Sequence, residues 1–449
     1  MDRVVRGICS DYTHDGKGVV KVNGIPIFVE NLLIGEEAEI LITQREKGYS
    51  LGRRLQLITV SSKRITPICP NYKECGGCNI QHMTYDEQLR FKQNRVQEVL
   101  KRIGGVELVV PPVIGMKNPF KYRNKVQVPF GTTMDGSIIS GFYMKASHQI
   151  IDMEKCYIED EDADAVILSC KEIFQKYDIE TCDIMNNLGI IRYVVVRKSF
   201  FNQDLMVVIV TKNEFFPKKD RVVNELLQRH PKIKTIVQNI NGMRSSVVLG
   251  AQEKVLFGPG YIEDKICGLT FKVSPKSFFQ VNPIQTEVLY NTAIKFANLS
   301  GNEVVLDAYC GVGTIGMIAS KHAKEVVGVE IVKEAIIDAN NNAKINDIRN
   351  ATFIHEDATT YMFKMLKAKQ NFDLVFVDPP RDGCDNKFIA ALMTLAPKNV
   401  VYISCEPSSL ARDLKVLKEK YNVTKVQCVD MFPQTYHVET VVLLELKHV

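Results

Sequence analysis

Apolar and polar residues alternate in short runs over the first 60 positions: RVVRGICSD, GKGVVKV, IPIFVEN, EEAEILITQ and GRRLQLITV, parted by turn sequences such as HDGKG and VNG. Period-two patterning in β-branched segments predicts strands, and five at this spacing predict a small, OB-like β-barrel. The rhythm changes at YDEQLRFKQNRVQEVLKRIGG, where Leu89, Val96, Leu100 and Ile103 recur at helical spacing ahead of a glycine pair. From about residue 106 to 265, strand-like runs (YRNKVQVPFG, GIIRYVVVRK, QDLMVVIVTK, IKTIVQNI, SSVVLG) mix with helical ones (ADAVILSCKEIFQKYD, KDRVVNELLQRH), which predicts an α+β middle domain. After about 266 strand and helix alternate: EVVLDAYC, GTIGMIASKHA, EVVGVE, KEAIIDANNNAKIN, ATFIHED, FDLVFVDPP, FIAALMTLA, NVVYISC, LARDLKVLKEK. Buried Val- and Ile-rich strands between amphipathic helices predict a parallel doubly wound α/β sheet, with VTKVQCVDMF and ETVVLLELK closing it as a hairpin-like edge. The chain therefore reads as multidomain: a barrel over 1–60, an α+β domain over 61–265 and an α/β domain over 266–449.

Composition narrows the setting. At 449 residues and 45% hydrophobic content, the chain can build two or three cores. MDRVVRGICS lacks the apolar run of a signal peptide, and no stretch approaches the roughly 18–20 apolar residues of a membrane span, so a cytoplasmic protein is expected. Twelve cysteines in a reducing compartment point to metal or thiol chemistry rather than disulfides, and Cys69, Cys75 and Cys78 crowd into CPNYKECGGCNIQH. A net charge of +5 permits a polyanionic partner without requiring one. A monomer is expected.

DAYCGVGTIG at 307–316 sets Gly311, Gly313 and Gly316 as G-x-G-x-x-G between strand and helix, and Glu330 ends the next strand, where an acid can accept hydrogen bonds from both ribose hydroxyls. On the loop alone, a nicotinamide dehydrogenase and an S-adenosylmethionine (SAM) methyltransferase are equally served. The downstream acids favour SAM: Asp357 ends the third strand, at adenine reach, and Asp378 opens DPPRDG at the end of the fourth, a rigid turn suited to methylating a nucleobase. Cys405 follows a buried strand at the ligand-binding edge and precedes Glu406 and Pro407, the place of a nucleophile more than of a core thiol. Glu439 opens the last strand in HVETVVLLEL and is a candidate base, against the alternative of a solvated surface acid.

These motifs, DAYCGVGTIG, VDPPRDGC, YISCEPSSLARDL and HVETVVLLEL, with KSFFQVNP at 276–283, resemble those of the RNA uracil-5-methyltransferase family, and most closely its bacterial 23S ribosomal RNA branch, over nearly the whole chain. The resemblance implies SAM-dependent methylation of carbon 5 of uridine in 23S rRNA by a Rossmann-like domain. It makes Cys405 the nucleophile, Glu439 the base, and Gln280, Tyr309, Glu330, Asp357 and Asp378 the cofactor-binding residues. It implies that residues 1–60 are an RNA-binding TRAM barrel and that YRNKVQ at 122–127 faces RNA, within a basic segment containing Lys117, Lys121, Arg123 and Lys125. It also implies a [4Fe-4S] cluster on Cys69, Cys75, Cys78 and one remote cysteine, which DMEKCYIED supplies as Cys156. Thiolates suit a cluster or a tetrahedral zinc, but structural zinc usually pairs two C-x-x-C knuckles and this chain has one. Glu406 stands where many members carry Asn, a change expected to alter charge around the thiol. The tRNA version of the reaction stays open. An iron-sulfur dinucleotide oxidoreductase would leave Cys405 and Glu439 idle, and a non-catalytic ribosome-assembly factor would explain only the barrel and the basic segments.

Overall fold

The computed structural model describes residues 4–182, 188–243 and 247–447. In it β1 (Val4–Tyr12), β2 (Gly18–Val22), β3 (Ile25–Val29), β4 (Glu37–Glu46) and β5 (Tyr49–Leu57) close a barrel in the order β1-β2-β3-β5-β4, antiparallel except where β3 meets β5. Inward-facing Cys9, Val20, Ile27, Val29, Ala38 and Ile40 fill it. Closure is tight enough that a Cβ at Gly52 would come within 2.5 Å of Ile40 Cγ2. The barrel is also fastened to the segment after it. Arg64 pairs at 2.6 Å with Glu36, which is fully buried, and Leu33 shares a small core with Ile80, Met83 and Phe91.

The expected helix is α1 (Tyr85–Val99), which runs on as a π turn over Leu100–Gly104 and stops at Gly105, with φ of 61°. Lys92 of α1 meets Asp430 at 2.5 Å, both side chains at 0% exposure, and the Tyr85 hydroxyl donates to the other Asp430 oxygen at 2.9 Å. A long charged side chain thus ties α1 to the far end of the chain.

The middle sheet has six strands: β6 (Lys125–Thr132), β7 (Ile138–Ser140), β8 (Ile191–Lys198), β9 (Leu205–Thr211), β10 (Ile233–Ile240) and β11 (Gln252–Phe257), in the order β11-β10-β9-β8-β6-β7. Helices α2 (Glu161–Lys176) and α3 (Lys219–Arg229) cover one face. β8 and β9 are buried along their whole lengths, which explains their unbroken apolar runs. Their second face, with Tyr193, Val195, Met206 and Val208, packs into the core of the C-terminal domain against Phe271, Phe279 and Leu289. Over the described part of SSVVLG, residues 247–250, no strand forms. Ser245 and Ser246 lie outside the described residues, and the side chains of Asn239 and Asn241 take the backbone groups of Val247, Val248 and Gly250 that a ladder would use, leaving the edge to β11.

A hairpin, β12 (Ile262–Ile266) and β13 (Leu269–Val273), and helix α4 (Pro283–Ala297) lead into the last domain. Its strands are β14 (Val304–Ala308), β15 (Glu325–Glu330), β16 (Ala351–His355), β17 (Leu374–Val377), β18 (Asn399–Ser404), β19 (Tyr421–Val429) and β20 (Glu439–Leu446). Between them lie α5 (Thr314–Ser320), α6 (Lys333–Ile345), α7 (Ala358–Ala368), α8 (Asn386–Leu395) and α9 (Pro407–Leu417). The order is β16-β15-β14-β17-β18-β20-β19, parallel through β18, with β20 antiparallel between β18 and β19. Apolar periodicity did not single out β12, β13, α4 or α7. Among the described residues no helix is long and apolar enough to cross a membrane.

Candidate active site

Strand register assembles the site. Ala308 lies beside both Val329 and Val377, Glu330 beside His355, and Val377 beside Tyr402, so the residues that come after these strands emerge on one edge. Tyr309, Glu330, Asp357, Asp378 and Cys405 all sit there. β20 enters the other way, with Ser404 opposite Thr440; one step further along that register sets Glu439 against Cys405. The glycine loop needs left-handed backbone, with φ of 54° at Gly311 and 80° at Gly313, and a Cβ on Gly313 would reach within 2.6 Å of Phe353. Tyr309 also takes φ of 64°, a conformation that costs a non-glycine residue roughly 1–2 kcal/mol, and its ring packs on Phe388 with centroids 5.3 Å apart.

Glu330 braces the loop: one carboxylate oxygen accepts from Gly311 N at 3.1 Å, the other from Val332 N at 2.9 Å. Asp357 caps α7, its Oδ1 accepting from Thr360 N at 2.8 Å and Thr360 Oγ1 at 2.9 Å. Gln280 is held through its carbonyl, which accepts from Asn124 Nδ2 at 3.1 Å, and its side chain hydrogen-bonds the buried Tyr290 hydroxyl.

Three groups compete for negative charge at the meeting of β17, β18 and β20. Desolvation pushes the Asp378 carboxyl up to about 7. Glu439, 6% exposed, is pushed up to about 8 by desolvation and then by Asp378, with Arg381 opposing. The half-buried Cys405 thiol is pushed up to about 11 by desolvation, then by Glu439 and Asp378, and again Arg381 opposes. An electron-poor ring placed here would meet a nucleophile, a base of near-neutral strength and one cation.

Residues 203–447, more than half of the chain, match the tRNA (Uracil-5-)-methyltransferase family. The chain belongs to this family. RNA methyltransferases of Oceanobacillus iheyensis and Halalkalibacterium halodurans are each 45% identical to it, over 440 and 447 residues, covering 97% and 99% of this chain and 95% and 97% of theirs. The solved Pyrococcus abyssi tRNA (uracil-54, C5)-methyltransferase in complex with S-adenosyl-L-homocysteine matches with a TM-score of 0.78 at 30% identity, over 98% of this chain and 99% of that one. The protein is thus a SAM-dependent RNA uracil-5-methyltransferase.

Three residues of this methyltransferase site carry no role in the sequence motifs as read. Arg381 sits inside DPPRDG. Asp307 heads the glycine motif; it is fully buried and pushed up to about 8 by desolvation, with Oδ2 accepting from Gly316 N at 2.7 Å and Oδ1 without a partner. Tyr290 on α4 has no local signal. Two expectations need correction. Glu406 caps α9 and turns to Arg95, at 3.0 and 3.3 Å, so its charge is met there rather than at the thiol. The basic segment is not one exposed stripe: Lys121 lies 3.5 Å from Glu161, Arg123 lines an internal cavity, and burial with Arg197 and Arg123 holds Lys125 down to about 8.

That cavity, of about 160 Å³, is lined by Cys69, Cys75, Cys78 and Cys156, all free thiols. Gly77 N donates to Cys75 Sγ at 3.3 Å. Among the described residues, no group of three or more His, Cys, Asp or Glu side chains is placed to hold a metal ion.

Proposed function

We propose that the enzyme methylates carbon 5 of uridine in 23S rRNA through a covalent Cys405 adduct that Glu439 resolves. The observation that carries the covalent mechanism is the β18–β20 register, which faces the thiol with a buried carboxyl beside Asp378 and Arg381, while 23S rRNA rests on the resemblance of the sequence motifs. Carbon 5 of uracil is too weak a nucleophile to take a methyl group unaided. Cys405, losing its proton, adds to carbon 6 of a flipped uridine; the ring double bond shifts and the carbon 4 oxygen carries the charge as an enolate. Arg381 is the cation that favours the thiolate. Bound SAM would supply an electrophilic methyl group to carbon 5 as the enolate collapses, the sulfonium S–C bond breaking with S-adenosyl-L-homocysteine as the leaving group. Glu439 then removes the carbon 5 proton, the ring double bond reforms and the thiolate leaves. A carboxyl pushed up to about 8 is well matched to that proton at neutral pH. Gln280, Tyr309, Glu330, Asp357 and Asp378 hold the cofactor in this scheme, and Asp378 positions rather than abstracts.

In the same reading residues 1–60 are an RNA-binding TRAM barrel, 61–265 carry an iron-sulfur cluster and 266–449 perform methyl transfer, in a cytoplasmic monomer. The stacked rings of Phe28 and Tyr49, 5.2 Å apart on the barrel, support base contact there. For the cluster, the support is the donor set and the space. The four cysteines line one cavity with room for several atoms, and thiolates are the donors that such a cluster takes. Cys69, Cys75, Cys78 and Cys156 would be the ligands. Iron and acid-labile sulfide should be found in protein purified without oxygen; zinc alone would defeat this part.

Cys405→Ala should give neither product nor adduct, while Glu439→Gln should methylate and then stall as a protein–RNA adduct stable on denaturing gels. RNA containing 5-fluorouridine should trap the wild type likewise. Substantial turnover by Cys405→Ala, or no adduct with either trap, overturns the mechanism. The whole-length likeness to a tRNA (uracil-54, C5)-methyltransferase favours tRNA as a second reading of the substrate. Mapping 5-methyluridine in 23S rRNA and tRNA from a deletion strain decides between them.

A further inference from the structure

We infer that Gln81 is a hydrogen-bond donor to the sulfur-bearing group held by Cys69, Cys75, Cys78 and Cys156, and that it sets that group's reduction potential and its retention. The inference rests on the proposed iron-sulfur reading of the four thiols. Gln81 lies within the same CPNYKECGGCNIQH stretch, lines the same cavity and is 1% exposed. Its Oε1 accepts from Cys69 N at 3.0 Å. A backbone N–H can only donate, so this contact fixes which end of the amide is oxygen. Nε2 is left buried with two N–H groups and no hydrogen-bond partner in the protein. Buried amide donors are rarely left so, because the lost hydration is not returned.

Arg123 lines the same cavity as a cation, and the other neighbouring polar groups are already engaged. The Tyr72 hydroxyl is engaged at 2.6 Å with Asn79 O and at 2.6 Å with His82 Nδ1. Gly77 N already serves Cys75 Sγ. Gln81 is thus a buried residue of the cavity lining whose acceptor end is anchored to a ligand's backbone, so the amide cannot swing away without releasing Cys69. A donor to thiolate or sulfide steadies the extra electron of the reduced state, and partners of this kind typically alter metal retention by ten- to a hundredfold. Gln81 is a positioning residue: it acts through the cluster.

The test uses full-length protein purified without oxygen. Gln81→Glu keeps an oxygen for Cys69 N and removes the donor; Gln81→Met removes both and adds no charge. Both should lower the reduced-to-oxidised ratio at the wild-type midpoint about tenfold, or about 59 mV for a one-electron couple. Both should also release iron to a chelator about tenfold faster, with SAM affinity unchanged. In the wild type, side-chain ¹⁵N-labelled glutamine should give one amide nitrogen magnetically coupled to the reduced cluster. Wild-type potential and iron release in both variants would overturn the inference, as would a shift in Gln81→Glu alone, which is a charge effect, or the lack of any coupled nitrogen. A wild type that carries no iron would instead defeat the cluster reading itself.

Discussion

Replacing Glu439 with glutamine should stabilise the folded enzyme by an amount that grows with pH. The carboxyl is pushed from an ordinary 4.5 to about 8, chiefly by desolvation and then by Asp378. Between those values the folded chain holds a proton that the unfolded chain has released, so stability falls as pH rises through this window. At about 1.4 kcal/mol per pH unit the ionised carboxylate costs the folded state at most on the order of 5 kcal/mol above pH 8. Asp378 shares the same proton economy, itself pushed up to about 7, so the part that glutamine relieves is on the order of 3 kcal/mol. Calorimetric unfolding of the full chain at pH 5 and pH 9 reads this out. For a domain of 150–250 residues, roughly 2–4 °C accompanies each kcal/mol, giving a gap of about 10 °C at pH 9 that closes toward pH 5. A gap that stays flat with pH, or a variant less stable at pH 9, would refute the reasoning, because either means that Glu439 is comfortably ionised in the fold.

The Cys405 thiol should respond in opposite senses to its two neighbours. Alkylation followed on the Cys405 peptide at pH 8 should be several-fold faster in Glu439→Gln, which removes a charge that raises the thiol, and slower in Arg381→Met; changes of the same sign would sink the electrostatic account. Lys92→Met leaves Asp430 charged and unpaired in the interior and should cost about 3–5 kcal/mol by denaturant unfolding, with most of it recovered when Asp430→Leu is added. On the barrel, Lys21→Gln, Lys47→Gln and Arg53→Gln should weaken RNA binding without touching SAM affinity. Each lost phosphate contact should make the slope of log K against log salt shallower by about 1. An unchanged slope would remove the barrel from the path of the RNA.

The candidate edge was legible because Cys405, Asp378 and Glu439 each directly follow or open a strand whose apolar run is unmistakable: Cys405 after NVVYIS, Asp378 after LVFV, Glu439 before TVVLLEL. What was hidden had one of two causes. Some signals were taken up by another role, as when Asp357, counted only as a cofactor acid, also caps α7, and when Asn282 and Pro283, a helix start, were absorbed into KSFFQVNP. Others depend on partners remote in sequence. Nothing near Lys121 or Glu406 says that Glu161 and Arg95 await them, and nothing in SSVVLG says that two asparagine side chains will take its backbone.

The strands β8 and β9, covered on both faces, bear on how such a chain can be cut or inherited. The family-model match begins at residue 203, between β8 and β9, so its border runs through the middle of a hydrogen-bonded sheet, while whole-length relatives carry the sheet intact. A gene fragment started at that border would lose β8 and α2 and bare Leu205, Val207 and Ile209 to water. Recombination, truncation or grafting of the catalytic half should therefore succeed only when the whole middle sheet travels with it.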